Sequence, residues 1–215
     1  MTHRIFLVED HPITREGLRS LIRSAPDLEV VGEASSGPDA INLIGSAKPD
    51  LVLADISIDG SDGIELTKQL KSIEPDLKVL IVSAYPERVY AERAVRAGAL
   101  GYVAKQEASG VLLDAIRTVL DGRLHLSDEV RDRVVGSYLA AGSPSDSAVS
   151  DLTDRELEVF RYFGQGLTTS QVAEAMMLSP KTVETHRVHI KQKLGLSTTN
   201  EFVQRATLWT AQNEV

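Results

Sequence analysis

Short apolar runs recur through the first half of the chain, and each stops at a polar residue. Ile5 to Val8 ends at Glu9 and Asp10, Leu51 to Ala54 at Asp55, Val79 to Val82 at Ser83, and Gly101 to Ala104 at Lys105; a fifth run spans 28–34. Between the runs, Leu18, Leu21 and Ile22, then Ala40, Ile41 and Ile44, Ile64, Leu66 and Leu70, Ala91, Ala94 and Val95, and finally Leu112, Ala115, Ile116 and Val119 recur at helical spacing. Five βα units in succession predict an α/β fold with a doubly wound, parallel, five-stranded sheet over residues 1–121. Wholly apolar strands such as Leu51 to Leu53 fit a sheet covered by helices on both faces.

The pattern changes after Gly122. Ser127 is placed to cap a helix on which Val130, Val134 and Tyr138 repeat every fourth residue, and the Gly, Ser and Pro-rich stretch 142–150 reads as a flexible linker. From residue 151 helix-start signals crowd together. Thr153 with Glu156, Thr168 with Gln171 and Thr198 with Glu201 fit the capping box, and Ser179 precedes a proline at the first helical position. Gly164 and Gly166 close the first helix and Gly195 the third, which predicts an all-α unit of four helices. The expected division is 1–121, a linker with a helix over 122–150, and 151–215.

With 215 residues, 42% of them hydrophobic, the chain is long enough for one good core and a second small one. It has no Cys, which excludes disulfides, thiolate metal sites and thiol nucleophiles and suits a reducing cytoplasm. Four apolar residues before Glu9 are too few for a signal-peptide core, and no stretch approaches the roughly 18 apolar residues of a membrane span. The expectation is a soluble cytoplasmic protein.

In an open parallel sheet the carboxyl ends of the strands line one crevice, so Glu9, Asp10, Asp55, Ser83 and Lys105 should converge. Three carboxylates in one place repel each other unless a cation joins them, and an oxygen-only site with open positions suits Mg²⁺. Asp55 ends the central strand and is the natural nucleophile for a phosphoryl group. Lys105, a hydroxyl at Ser83 and the metal would offset the charge on the transferring oxygens. Singly, each residue has a plainer reading, a loop aspartate or a solvated surface lysine, but five coincidences at strand ends argue for a site.

Glu9, Asp10, Asp55, Ser83, Tyr102 and Lys105 together resemble the receiver domain of two-component response regulators, a flavodoxin-like fold, over 1 to about 121. The resemblance implies phosphorylation of Asp55 by a sensor histidine kinase. It also implies a Mg²⁺ site built from Glu9, Asp10, Asp55 and the backbone carbonyl of Ser57, and a coupled reorientation of Ser83 and Tyr102. One departure stands out: Asp59 occupies a position where the family usually has proline, which leaves the lifetime of the phosphorylated form open. His11 reads as a residue of the loop between the first strand and the first helix.

The net charge of −8 argues superficially against nucleic acid, and residues 151–215 carry 7 basic against 8 acidic residues. The basic residues are clustered, however: Lys181, Arg187, Lys191 and Lys193 fall within thirteen residues containing only Glu184 in opposition. On a helical wheel of 181–194, Val183, Ile190 and Leu194 form an inner stripe. A short helix, a turn at Leu178 and a second capped helix make a helix-turn-helix. The motif from Leu152 to Phe160, with Gly166, Val172, Ala173, Ser179 to His186 and Lys193 to Gly195, is similar to the LuxR-type helix-turn-helix of NarL/FixJ-type response regulators. That resemblance implies promoter DNA as a partner. Lys181, Thr182, Arg187 and Lys191 would hold phosphates, and Glu184, Thr185 and Val188 would face bases.

The expected protein is a response regulator transcription factor, enzymatic only towards its own phosphate, that forms a homodimer on phosphorylation. Two rivals are a Mg²⁺-dependent phosphatase and a DNA-binding protein with a passive dimerisation scaffold. Against the first, the chain has no Asp-x-Asp at the acceptor, no Gly-x-Ser-x-Gly and no phosphate-loop signature.

Overall fold

In the computed structural model, which describes residues 2–58, 61–107, 109–139, 149 and 151–213, the chain divides into two compact units, Met1–Leu139 and Ala140–Val215. The first is built around five parallel strands, β1 (His3–Val8), β2 (Leu28–Ala34), β3 (Leu51–Ala54), β6 (Lys78–Ser83) and β7 (Gly101–Ala104), in the order β2-β1-β3-β6-β7. Helices α1 (Pro12–Arg23), α2 (Gly37–Ala47), α3 (Gly63–Ile73), α4 (Glu87–Arg96) and α5 (Ser109–Leu120) make the crossovers. The three inner strands are buried almost throughout, which their unbroken apolar sequences require of a sheet covered on both faces. Leu112, Ala115, Ile116 and Val119 of α5 close one side of this core. A two-residue antiparallel ribbon, β4 (Ser57–Ile58) against β5 (Ser61–Asp62), rises directly after β3 and delivers Asp62 as the N-cap of α3.

The stretch expected as linker behaves differently in its first half. His125 forms a parallel bridge to Gly101, with the Tyr102 N–H donating to the His125 carbonyl (3.0 Å) and the His125 N–H to the Leu100 carbonyl (2.9 Å). This covers the otherwise open edge of β7, where unpaired backbone groups would be a liability. Gly101 permits the approach, because a Cβ there would lie 2.9 Å from the His125 carbonyl oxygen. Helix α6 (Asp128–Leu139) then packs on α4, with Leu126, Val130 and Val134 buried. Ser127 caps it, as expected from the sequence. The side chain of Tyr138, residues 142–148 and 150, and Asp59 lie outside the described residues.

The second unit contains α7 (Asp154–Gly164), α8 (Thr169–Ala175), α9 (Pro180–Lys193) and α10 (Thr199–Asn213). The capping boxes at Thr153 and Thr168 are complete, and Thr198 and Glu201 exchange the same reciprocal pair of bonds. Gly166 and Gly195 adopt the positive φ expected of helix C-caps. The core is aromatic: Phe160 packs against Phe202 and Trp209, and Phe163 against Phe202, with ring centroids 5.2–6.0 Å apart.

Candidate functional site

The strand ends bring the predicted residues of the first unit together. Lys105 Nζ sits 2.8 Å from Asp55 Oδ2 and 2.6 Å from Glu9 Oε2. Glu9 is 1% exposed and Asp55 5%, so the ammonium bridges two carboxylates that are cut off from water. Burial pushes the Glu9 carboxyl above its ordinary value of 4.5, against the opposing pull of Lys105. Burial also works against the Lys105 ammonium, but attraction to Asp55 and Glu9 outweighs it and raises its pKa above 10.5.

Asp55 Oδ1 is buried and accepts no hydrogen bond among the described residues. Carboxylate oxygens of Glu9, Asp10 and Asp55 lie within 4.8 Å of one another, so this oxygen stands among donors that could hold a cation. Hard oxygen donors in such a set fit Mg²⁺. His11 belongs to the same cluster: its Nδ1 lies 2.6 Å from Asp10 Oδ1 and 3.3 Å from Glu9 Oε1. Its side-chain contact with both acids was not apparent from the sequence, because a histidine next to them in a loop can equally face solvent.

Gly63 is a second residue the sequence did not single out. A Cβ at that position would stand 1.9 Å from the Asp55 carbonyl oxygen, and the Gly63 N–H donates to Ile56 at 2.8 Å. The start of α3 is therefore folded directly onto the backbone of Asp55, and only glycine leaves room for it. Ser57 lies two residues beyond Asp55, paired with Asp62 in the ribbon.

Ser83 is fully buried at the end of β6, and its carbonyl accepts the Lys105 N–H at 2.8 Å. Tyr102 is 2% exposed and donates its hydroxyl to the Tyr85 carbonyl at 2.8 Å, while Tyr85 stacks on Tyr90 of α4. The aromatic thus lies inward and ties β7 to the β6–α4 loop.

In the second unit α8 and α9 form the expected pair around a turn in which Met177 takes φ +52°, and Val183 and Ile190 are fully buried. The positive cluster does not all face outward. Lys193 donates to Glu156 (2.7 Å) and to the Asp151 carbonyl (3.1 Å), joining α9 to α7. Arg187, expected on one flank of the helix as a phosphate contact, turns inward instead. Its guanidinium lies 5.5 Å above Phe163 and 5.7 Å from Phe202, donating to Glu184 (2.9 Å) and Thr199 (2.8 Å). The flat, weakly hydrated guanidinium finds aromatic faces and two acceptors there, a better environment than open solvent. Glu184 is held by Arg187 and by the Thr169 hydroxyl (2.8 Å). Thr182 shares its hydroxyl with the Ser179 cap, Lys191 is half-buried, and Lys181, Thr185 and Val188 stand exposed.

Comparison with known proteins agrees with both halves. Residues 5–117 match the response regulator receiver domain, and residues 150–206 match the bacterial regulatory proteins of the luxR family. The chain belongs to the LuxR-type response regulators. It is 34% identical to the transcriptional regulatory protein LiaR of Bacillus subtilis over 197 residues, covering 90% of this chain and 92% of that one. The DNA-binding transcriptional activator DevR/DosR of Mycobacterium tuberculosis is 35% identical over 193 residues, covering 90% and 88%. Among solved structures, a LuxR-family response regulator from Aurantimonas is 35% identical with a TM-score of 0.59, covering 65% of this chain and 99% of that one. RcsB from Salmonella enterica, solved on promoter DNA, has a TM-score of 0.61 at 23% identity, over 96% and 99%, and supports the fold. The protein is a response regulator transcription factor with a receiver and a DNA-binding domain. Among the described residues no helix is long and apolar enough to cross a membrane.

Proposed function

We propose that a sensor histidine kinase in the cytoplasm phosphorylates this regulator on Asp55, and that the phosphoryl group controls dimerisation and sequence-specific promoter binding. The observation that carries this reading is the buried Asp55 carboxylate, held by Lys105 through Oδ2 and free to react through Oδ1. In the transfer, Oδ1 attacks phosphorus, the bond from phosphorus to the donor's histidine nitrogen breaks, and that nitrogen keeps the electron pair. Glu9, Asp10, Asp55 and the Ser57 carbonyl would hold Mg²⁺, which when bound supplies charge neutralisation for the phosphoryl oxygens. Lys105 is placed to move from Glu9 towards the incoming oxygens, and the buried Ser83 hydroxyl, at the end of the neighbouring strand, offers a donor.

A route outward follows from the contacts of β7 and α4. Tyr102 is bonded at its hydroxyl to Tyr85 before α4 and at its backbone to His125. Ser127, Glu129 and Arg133 are in turn bonded to Glu87 and Arg88 of α4. Repacking of Ser83 and Tyr102 around phosphate therefore loosens 123–134, the segment leading to the DNA-binding domain. On the recognition helix, Lys181, Thr182 and Lys191 hold phosphates, and Thr185, Val188 and Glu184 meet bases, with Glu184 first released from Thr169. Incubating the protein with Mg²⁺ and acetyl phosphate should add one phosphoryl group, abolished by Asp55→Asn and by a chelator. Equal labelling of the Asn variant would remove the assignment.

A further inference from the structure

We infer that Arg15 is a positioning residue for the divalent cation, acting through the peptide that joins the acid pair. The inference rests on reading the crevice as a cation site. Glu9 and Asp10 lie on the bend between β1 and α1, where two carboxylates repel each other as the backbone leaves the ladder of the sheet. That bend is pinned on both sides. The Glu9 N–H donates to the Ala34 carbonyl at the end of β2 (3.1 Å), and the Glu9 carbonyl accepts Nη1 of Arg15 from α1 at 2.5 Å. The carbonyl belongs to the Glu9–Asp10 peptide itself, so Arg15 fixes the plane from which the Asp10 side chain departs.

Arg15 is not left to find this position alone. Its Nε lies 3.5 Å from Glu33 Oε2 on β2, and the Glu33 carboxylate is itself clamped by the fork of Arg19, with contacts of 2.5 and 2.6 Å. The parallel register that sets Leu7 beside Glu33 and Val8 beside Ala34 places this carboxylate next to the strand end bearing the acids. The relay runs from Arg19 through Glu33 and Arg15 to the backbone of Glu9. A guanidinium is suited to it because one rigid plane offers separate donors to a carboxylate and to a carbonyl; an ammonium keeps the charge without the fork. Outer groups that orient metal ligands affect affinity by about 10- to 100-fold.

A simpler role makes the opposite forecast. If Arg15 acted only as a nearby positive charge it would repel the cation, and its removal would tighten binding. Titration of the full chain with Mn²⁺, followed by the electron paramagnetic resonance of the free ion, separates the two. Arg15→Met and Arg15→Lys should both weaken Mn²⁺ binding by about tenfold or more, and Glu33→Gln, which keeps the side-chain shape, should weaken it by less. Thermal melting followed by circular dichroism confirms that each variant is folded at the titration temperature. Arg15→Met binding as tightly as wild type or more so, with Arg15→Lys unchanged, would overturn the inference. Wild-type protein that takes up no Mn²⁺ would instead overturn the reading of the crevice on which it rests.

Discussion

The backbone N–H of Ser127 donates to the carboxylate of Glu87 at 2.9 Å, joining the cap of α6 to the first turn of α4. The residues between receiver and DNA-binding domain thus begin as part of the receiver. Phosphorylation should weaken this attachment. In hydrogen exchange, the amides of His125, Ser127 and Val130 are expected to lose protection on adding Mg²⁺ and acetyl phosphate. Glu87→Gln should lower their protection before any phosphate is added. Unchanged protection on phosphorylation would break the proposed route.

Lys105 holds two buried carboxylates together. Replacing it by Met leaves Glu9 and Asp55 facing each other unpaired, and truncating one member of a buried ion pair costs about 3 kcal/mol. The receiver should be destabilised by this order. Glu9→Gln in the same chain should restore much of the loss, while Lys105→Met alone should still bind Mn²⁺, because the cation replaces the missing charge. A double-mutant cycle by denaturant unfolding reads the coupling, and additive single effects would contradict the shared role of Lys105.

The inward turn of Arg187 alters what its removal does. A desolvated guanidinium lying over aromatic faces, as Arg187 does over Phe163 and Phe202, is worth about 2 kcal/mol, so Arg187→Ala should lower the stability of the DNA-binding domain by roughly that amount. Its DNA binding should weaken with little change in salt dependence. Lys181→Ala and Lys191→Ala should instead reduce the slope of affinity against salt, because each lost phosphate contact releases fewer counterions. A reduced slope in Arg187→Ala would return that residue to the phosphate contacts.

Trp209 is the chain's single tryptophan and lies in the second core, so its fluorescence follows that domain alone. Burial holds the His186 imidazole below 6.5. Burial pushes the Glu156 carboxyl up, but bonds from Lys193 and the Thr153 N–H more than offset this and hold it below 4.5. In both cases the native group binds fewer protons than the unfolded one. The histidine's contribution is therefore present above pH 6.5 and lost as pH falls through its lowered pKa; that of Glu156 is present above 4.5 and lost on further acidification. The melting temperature read from Trp209 should fall as pH drops below 6.5, and His186→Gln should flatten the upper part of that fall. An identical pH profile in His186→Gln would contradict this.

The strands, the acid pair, Asp55, Ser83 and Lys105 were legible because an unbroken apolar run both forms a buried strand and marks where it ends. The capping boxes were legible because each rests on bonds three residues apart. Gly63 was not, since what demands glycine there is the Asp55 carbonyl of another element, set by tertiary approach. The helical wheel placed Val183 and Ile190 correctly but says nothing of which neighbour covers a flank, so the capture of Arg187 by the aromatic core and of Lys193 by Glu156 stayed hidden. The bridge at His125 is a single residue with no periodicity, and a reading from patterns passes over it.

The proposed switch is tested most directly by whether phosphate at Asp55 changes assembly and DNA affinity together. Sedimentation of the full chain, alongside its affinity for DNA sites selected in vitro, should be measured with and without Mg²⁺ and acetyl phosphate, in wild type and in Asp55→Asn. Wild type is expected to shift from monomer to dimer and to bind DNA more tightly on phosphorylation, and the Asn variant to do neither. Wild-type protein that becomes phosphorylated with no change in either sedimentation or affinity would contradict it.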